Sequence, residues 1–276
     1  MPGPDLHLHS TFSDGLFTPE QLVARAVELH LPAIAIADHD SVGGVEPALR
    51  AAEATGLLVV PAVELSAEAG ERTVHLLGYH IDHTDGSLLG HLAELRDHRR
   101  ARARRIVRSL SAAGIELDLA GTSSAGDEAA IGRAHIARAL VQAGFARDMA
   151  DAFERFVGDH APHFVAKSLV TPERAIEWIT QAGGVAVLAH PGLSRVDDLI
   201  PSLIGAGLAG IEACHASHDP LTAERYRTLA AGLGLIVTGG SDYHGSQREG
   251  GDMGCAWAPE GSLEALLTAA RTGGIR

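Results

Sequence analysis

A seven-stranded α/β barrel carrying a helical insertion is the fold this sequence predicts, on three observations. Short apolar segments alternate with helix-patterned ones, which implies parallel strands joined by right-handed crossovers. Seven such strand candidates can be counted along the chain. Histidines and acids recur at or just beyond their C-terminal ends, where barrels of this kind gather their chemistry. An open sheet built from the same strands is the alternative.

Composition agrees with that class. The 276 residues are 46% hydrophobic, enough for one large domain or a domain with an insertion. The apolar share is mostly Ala, Leu, Val and Ile with only 4% aromatics, which suits helices packed on a parallel sheet. A net charge of −13 argues against a nucleic-acid surface over the whole molecule, so any nucleotide must be drawn by a local positive site. Cys214 and Cys255 give no disulfide framework and fit a reducing compartment. Residues 1–4 carry no basic or apolar signal, and no apolar run nears the roughly 20 residues needed to span a bilayer. A soluble cytoplasmic protein is therefore expected. The sixteen histidines are the anomaly.

The first strand is Asp5-Leu6-His7-Leu8-His9-Ser10, alternating polar and apolar. His7 and His9 share a face, about 7 Å apart along the strand and within reach of one metal ion. Asp14 follows in a Ser-Asp-Gly turn. Thr18 caps a helix that starts at Pro19 and sets Leu22, Ala26 and Leu29 on one face. The second strand, Ala33–Ala37, runs into Asp38-His39-Asp40. A helix over Glu46–Ala54 is closed by Gly56. The third strand, Leu57–Val63, ends in Glu64, and a fourth over Arg72–Tyr79 carries His75.

From residue 88 to about 164 no buried strand is evident, and the pattern is helical and rich in arginine. We take 88–164 as an inserted helical subdomain for substrate recognition, with 1–87 and 165–276 forming the barrel. Strands resume at Gly184–Ala189 before His190-Pro191, at Ala209–Ala213, and at Gly234–Thr238 before Ser241-Asp242-Tyr243-His244. Helices over Pro172–Gln181, Asp197–Ala206 and Thr222–Ala231 lie between them. Any one of these polar residues could be a capping carboxylate or a turn. Their recurrence at one rim is what points to a shared site.

These segments together resemble the motifs of the PHP (polymerase and histidinol phosphatase) family: Asp5–Ser10, Ser13-Asp14-Gly15, Asp38-His39-Asp40, Val63-Glu64, His75–Tyr79, Ala189-His190-Pro191 and Ser241–His244. The likeness covers nearly the whole chain in order. Ala37 stands where threonine is common and Ala62 where glycine is common, and neither is a ligand position. The resemblance implies a distorted (β/α)7 barrel, two or three divalent ions (Mn, Fe or Zn) and phosphoester hydrolysis. It assigns as metal ligands His7, His9, Asp14, His39, Glu64, His75, His190, Asp242 and His244. In the implied grouping, His7, His9, Glu64 and Asp242 hold one ion, Glu64 bridges to a second with His75 and His190, and Asp14, His39 and His244 complete a third.

Three such ions bring six positive charges against three carboxylates, leaving the site about +3 with neutral histidines. It should take a phosphate dianion and generate a metal-bridging hydroxide for in-line attack on phosphorus, with Asp14, Glu64, Asp242 and His244 acting through that hydroxide. Asp38 and Asp40 are expected to orient His39 or its neighbours.

Within the insertion, Leu88, Leu92, Leu95, Arg99, Arg102, Ile106 and Leu110 fall at helical spacing, so Arg99 and Arg102 sit on the apolar face. Each needs an anion there, either a second substrate phosphate or a structural carboxylate. Arg96, Arg100, Arg104, Arg105 and Arg108 read as a solvated basic face. Gly132–Arg138 and Lys167-Ser168 are similar to insertion motifs of the PHP subgroup that acts on nucleoside 3′,5′-bisphosphates or the 5′ end of short RNA. That similarity implies substrate contacts from Arg133, His135 and Lys167. Glu212, His215 and His218 also point to the rim, His218 either touching substrate or supporting a ligand. Histidinol-phosphate phosphatase, a metal-dependent amidohydrolase and a non-catalytic PHP binding module are the competing readings. No obligate protein partner is expected.

Overall fold

In this computed structural model the described residues are 2–117, 132–158, 160–165, 170–245 and 251–273. Seven strands form one sheet in sequence order: β1 (Asp5–Leu8), β2 (Ala33–Ile36), β3 (Leu58–Ala69), β4 (Arg72–Tyr79), β5 (Val185–Leu188), β6 (Gly210–His215) and β7 (Ile236–Gly240). The barrel closes just past β7, where the Asp242 N–H donates to the His7 carbonyl at 2.9 Å and the His9 N–H to the Tyr243 carbonyl at 3.0 Å. Gly240 permits that approach, since a Cβ there would collide with the backbone and Cβ of His7.

The sheet is not parallel throughout. β4 runs antiparallel to both β3 and β5. β3 does not stop at Glu64 but continues to Ala69, and only Gly70 and Glu71 separate it from β4. A connection that short has no room for a crossover and must turn the chain back on itself, with Gly70 at φ 65°. The expectation of parallel strands fails here. The barrel itself is present, distorted by this hairpin.

Inside the barrel, strand parity builds a continuous core. Ala35, Ala37, Val60, Ala62, Leu77, Tyr79, Val185, Val187 and Ala189 form one buried cluster with Leu6 and Ala258. The same parity carries on upward to His39 after Ala37 and to Glu64 after Ala62. On the reversed β4, the order Tyr79, Leu77, His75 climbs to the same rim. Helix α10 (Ser262–Gly273), which the sequence reading did not anticipate, seals this cluster through Leu266. Outside, α1 (Pro19–Glu28) and α2 (Val45–Ala52) cover β1 and β2 with Leu22, Val23, Ala26 and Ala48 against Leu8, Ile34 and Ile36. Thr18 caps α1 as expected, in a reciprocal box with Gln21. Leu29 is the C-cap and turns partly to solvent.

The insertion is entered along α3 (Gly86–Ala112), followed by α4 (Arg133–Gln142), α5 (Met149–Ala152) and a π-helical turn (Phe153–Val157). α3 belongs to both parts. Leu88, Leu92 and Leu95 pack in the barrel's outer core with Ile179 and Trp178. Ala103, Ile106 and Leu110 pack with Ile136, Leu140, Ala152 and Phe156 in a separate insertion core. The chain returns through α6 (Pro172–Gln181), capped by Thr171, then α7 (Pro191–Ser194), α8 (Ile200–Gly205) and α9 (Pro220–Leu233). The helix expected over Asp197–Ala206 is a short 3-10 turn over Asp197–Leu199 continued by α8.

Candidate metal centre

The strand ends bring nine widely separated side chains into one cluster. Glu64 is its centre and is buried. Its Oε1 lies 2.9 Å from His75 Nδ1 and 3.1 Å from His190 Nε2. Its Oε2 lies 2.7 Å from His39 Nδ1, 3.4 Å from His9 Nε2 and 3.5 Å from His7 Nε2. Asp242 Oδ1 is 3.0 Å from His9 Nε2 and 3.4 Å from His7 Nε2. Asp14 Oδ1 is 3.3 Å from His244 Nε2. The loop residues are held in unusual backbone conformations: Asp40, His190 and Asp242 have φ of 50°, 27° and 54°. Such left-handed non-glycine residues cost energy and persist where surrounding contacts over-determine them.

Four sets of donor atoms are close enough to share an ion: His9, Asp14, His39 and His244; His7, His215 and Asp242; His7, His9 and Glu64; and His39, Glu64 and His75. Donors about 2.1 Å from a tetrahedral ion stand about 3.4 Å from one another, close to most of these separations. The buried atoms His7 Nε2, His9 Nε2, His39 Nδ1, His215 Nε2, Asp14 Oδ1 and Glu64 Oε2 make no hydrogen bond. So many unsatisfied lone-pair donors aimed at one another would be costly without a cation among them. The residues fit divalent metal binding.

The electrostatics of the carboxylates and of His9 and His75 points the same way. Burial alone would push Asp14, Glu64 and Asp242 upward, yet the imidazoles around them hold all three well below the usual carboxylate range. Burial drives His9 down to about 4 and His75 to about 3, which leaves both rings neutral at pH 7 and able to ligate. His244 is pushed up to about 10, where the pull of Asp14 and Asp242 overcomes burial.

A surrounding shell aims these rings. Glu212 accepts the His7 Nδ1–H at 3.0 Å, which leaves Nε2 to face Glu64 and Asp242, and it also accepts the His190 backbone N–H at 2.9 Å. Asp5 accepts the Ser241 N–H and hydroxyl at 2.8 and 2.6 Å and the Gly254 N–H at 2.8 Å, pinning the strand end before Asp242. Asp38 accepts the Ser10 N–H, the Ser10 hydroxyl and the Ser13 hydroxyl. Ser13 Oγ in turn lies 3.3 Å from His9 Nδ1. Of the expected targets, His39 or its neighbours, Asp38 and Asp40 hold the neighbouring ligand loops and not the His39 ring. Asp40 instead binds the Ser66 N–H at 2.9 Å and the Arg99 guanidinium.

His215 was not counted among the ligands from sequence, yet its Nε2 lies 3.3 Å from Asp242 Oδ2. Strict alternation would turn His215 away from the face that Glu212 occupies. A register irregularity between Glu212 and Cys214 lets both face inward. Its place at the end of β6 was the available signal.

The candidate substrate residues separate. Arg99 finds a structural carboxylate, Asp40, and donates from Nη2 to Ser66 Oγ at 2.5 Å. Arg102 donates to the Val165 carbonyl, a backbone oxygen, at 2.6 Å. Arg96 departs from the expected solvated face and donates to the Asp40 carbonyl at 3.3 Å. His218 accepts from the Gly192 N–H at 3.1 Å and sits 3.0 Å from the Ala213 carbonyl, so both ring nitrogens are engaged in holding loops. His135 Nδ1 accepts the Gly132 N–H at 3.1 Å. Arg133 packs its guanidinium over the rings of Phe153 and Phe164 and donates to the Val157 carbonyl at 3.3 Å. It also lines a cavity of about 390 Å³ together with His75, His190, Thr73 and Leu193. Lys167 lies outside the described residues.

Known proteins similar to this chain show its family. The PHP domain pattern matches residues 5–160. The chain is 36% identical over 260 residues to the 3′,5′-nucleoside bisphosphate phosphatase of Chromobacterium violaceum, covering 92% of this chain and 91% of that one. It is 34% identical over 247 residues to the 5′-3′ exoribonuclease Rnm of Escherichia coli, covering 87% and 84%. Its fold is similar to that of a Bifidobacterium adolescentis protein assigned by inference to the metal-dependent phosphoesterases, with a TM-score of 0.91, 33% identity and 98% of each chain covered. No helix among the described residues is long and apolar enough to cross a membrane. Because these matches run nearly end to end, over a rim whose donors suit divalent ions, the chain belongs to the PHP domain family of metal-dependent phosphoesterases and is a hydrolase of phosphoester bonds.

Proposed function

We propose that this hydrolase removes a phosphate from a nucleoside 3′,5′-bisphosphate, with the 5′ end of a short RNA as the related polymeric substrate. The observation that carries this reading is the cavity of about 390 Å³ whose wall joins His75 and His190 of the rim to Arg133 of the insertion. Its size falls within the range of small-molecule sites, and an arginine facing a cationic centre suits a ligand with more than one anionic group. The phosphatase and exoribonuclease relatives support the same substrate class.

His7, His9, Asp14, His39, Glu64, His75, His190, Asp242 and His244 would hold two or three divalent ions, with His215 able to join His7 and Asp242. Bound ions of this kind supply a nucleophilic water near neutral pH and neutralise charge developing on phosphoryl oxygens. Glu64 keeps the two halves of the rim in one rigid array, because each of its oxygens faces different imidazoles. Asp14 and His244 lie on one side of Glu64 and Asp242 at the strand end beside His7 and His9, and the four residues Asp14, Glu64, Asp242 and His244 would surround the reacting phosphate. Arg133 binds the second phosphate.

Phosphate release with Mn²⁺ measured across adenosine 3′,5′-bisphosphate, AMP, histidinol phosphate and short 5′-phosphorylated RNA tests this. The bisphosphate should give the highest kcat/KM. A clear preference for histidinol phosphate overturns the substrate assignment, and no turnover after reloading with Mn, Fe or Zn would favour a binding module.

A further inference from the structure

Polar side chains of the insertion reach back across the domain boundary and end on loops that present candidate ligands. On α3, Arg99 donates to Asp40 and to Ser66 Oγ, and Arg96 donates to the Asp40 carbonyl. Asp40 follows His39 directly, is buried, and holds a left-handed backbone at φ 50°. Its own carboxylate accepts the Ser66 N–H, two residues past Glu64, and its N–H donates to the Glu64 carbonyl at 2.9 Å. On α4, Arg138 donates from Nη2 to the Asp14 carbonyl at 2.9 Å. His135, buried on the same helix, accepts the Gly132 N–H at 3.1 Å and so ties the start of α4 to the residue that Arg99 abuts. Arg99 also abuts Gly132, where α4 begins, so a Cβ there would meet its Nη1 at 3.0 Å. The two helices thus grip neighbouring loops through one connected set of contacts.

Asp14 and His39 belong to the same donor set, with His9 and His244, and it has the most part-exposed members of the four. Its other two residues are carried by β1 and by the segment that closes the barrel, which sheet hydrogen bonds hold. Asp14 sits in a turn past Leu8 that pairs with no named strand and is tied only locally, through the Ser13 and Gly15 N–H groups to the Ser10 carbonyl and the Leu16 N–H to the His244 carbonyl. His39 is joined to β3 by a single bridge to Glu64. We infer that the insertion is a clamp on this one metal subsite: Arg99, His135 and Arg138 are positioning residues that keep Asp14 and His39 converged, so the insertion governs how tightly the outer ion is retained. Of the other sets, the one of Glu64 and His75 shares His39 with this subsite, while His7 with His9 and Glu64, and His7 with His215 and Asp242, lie within the barrel and do not depend on it. This inference rests on the metal-centre reading above.

The test is metal content and affinity, not turnover. Full-length protein is loaded with Mn²⁺, desalted, and its metal-to-protein ratio and Mn²⁺ binding isotherm are measured for wild type, Arg138→Gln, Arg138→Lys, Arg99→Lys and Arg105→Gln. Arg105 lies on the exposed face of α3 and controls for loss of insertion charge. Arg138→Gln and Arg99→Lys should weaken one binding step by about 10–100-fold, the scale on which outer-shell partners act. They should lose that ion on desalting while the remaining ions stay. Arg138→Lys, which can still donate to the Asp14 carbonyl, should recover most of the affinity, and Arg105→Gln should match wild type. Arg99→Lys disturbs a buried carboxylate; if it fails to fold, the half-exposed Arg138 decides through Arg138→Gln. Unchanged stoichiometry and affinity in folded Arg138→Gln overturns the clamp, as does a uniform weakening of every ion. A wild-type protein that binds no divalent ion would instead sink the metal reading beneath it.

Discussion

The barrel rim and the insertion are both densely charged, but they handle charge in opposite ways. At the rim, imidazoles and carboxylates converge within 3–4 Å and leave lone pairs unsatisfied in buried space. In the insertion, arginines are spent on pairs and carbonyl caps, such as Arg99 with Asp40, Arg102 with Val165 and Arg147 with Asp151. One region stores an electrostatic demand that a cation would meet; the other meets its own demand and steadies the first. The strands place rim donors by parity and register, whereas the insertion's long side chains find partners through packing. Function therefore concentrates where the polar groups are least satisfied.

Breaking the comparison hardest means removing Glu64, the carboxylate that five imidazoles face. Glu64→Gln should lower kcat/KM with Mn²⁺ by several kcal/mol of transition-state stabilisation, on the order of 10³-fold. Steady-state kinetics at saturating metal checks it, and a rate near wild type would show the rim to be ordinary polar packing. Next comes Glu212→Gln, which keeps the shape but removes the charge that fixes the His7 ring. Metal affinity should fall about 10–100-fold, read by competition with a fluorescent chelator. The same titration on an insertion pair, Arg147→Gln, should leave affinity unchanged.

Removing the ions should destabilise the fold through linkage, by about 2.7 kcal/mol for each site held at 100 times its Kd. The check is thermal unfolding with and without EDTA; a melting curve indifferent to EDTA would contradict a charge-strained rim. The smallest effect is expected in the insertion. Asp151 is held below the usual carboxylate range by hydrogen bonds from the Arg147 side chain and backbone, with Arg155 adding to them. A lowered folded-state pKa contributes stability above the unfolded value of about 3.9 and loses it as pH falls through the folded value. Asp151→Asn should therefore lower Tm slightly at pH 7, and its deficit should shrink below pH 4. The effect is kept small by exposed arginine partners. A deficit that does not shrink at all as pH falls below 4 would assign the loss to packing.

Much of the fold was legible because strand chemistry is local. Apolar runs such as Ala33–Ile36 and Val185–Leu188 announce themselves, and Thr18-Pro19 and Thr171-Pro172 mark helix starts by capping physics alone. The reversal at β4 could have been read from Gly70-Glu71, a gap too short for any crossover, but the βα rhythm on either side overrode it. The dual allegiance of α3 could not, because Leu95 and Ile106 look alike until two different cores claim them.

The site divides along the same line. Seven rim residues, His7, His9, His39, Glu64, His190, Asp242 and His244, stood out in the sequence because they lie at strand ends, where polar side chains have few structural reasons to recur. The family resemblance added Asp14 and His75. His215 escaped because a local irregularity reverses its face, which alternation cannot anticipate. Arg96, Arg99, Arg102, His135 and His218 show the reach of tertiary structure most clearly. Sequence spacing could say which way a helix face points, but not which of several distant acceptors a flexible cation or a ring would meet. What this chain determined by itself was the parity that sends donors to a common rim, since backbone geometry repeats every two residues. Which loops those donors lean on, and which arginines steady them, was decided only when separate elements packed together.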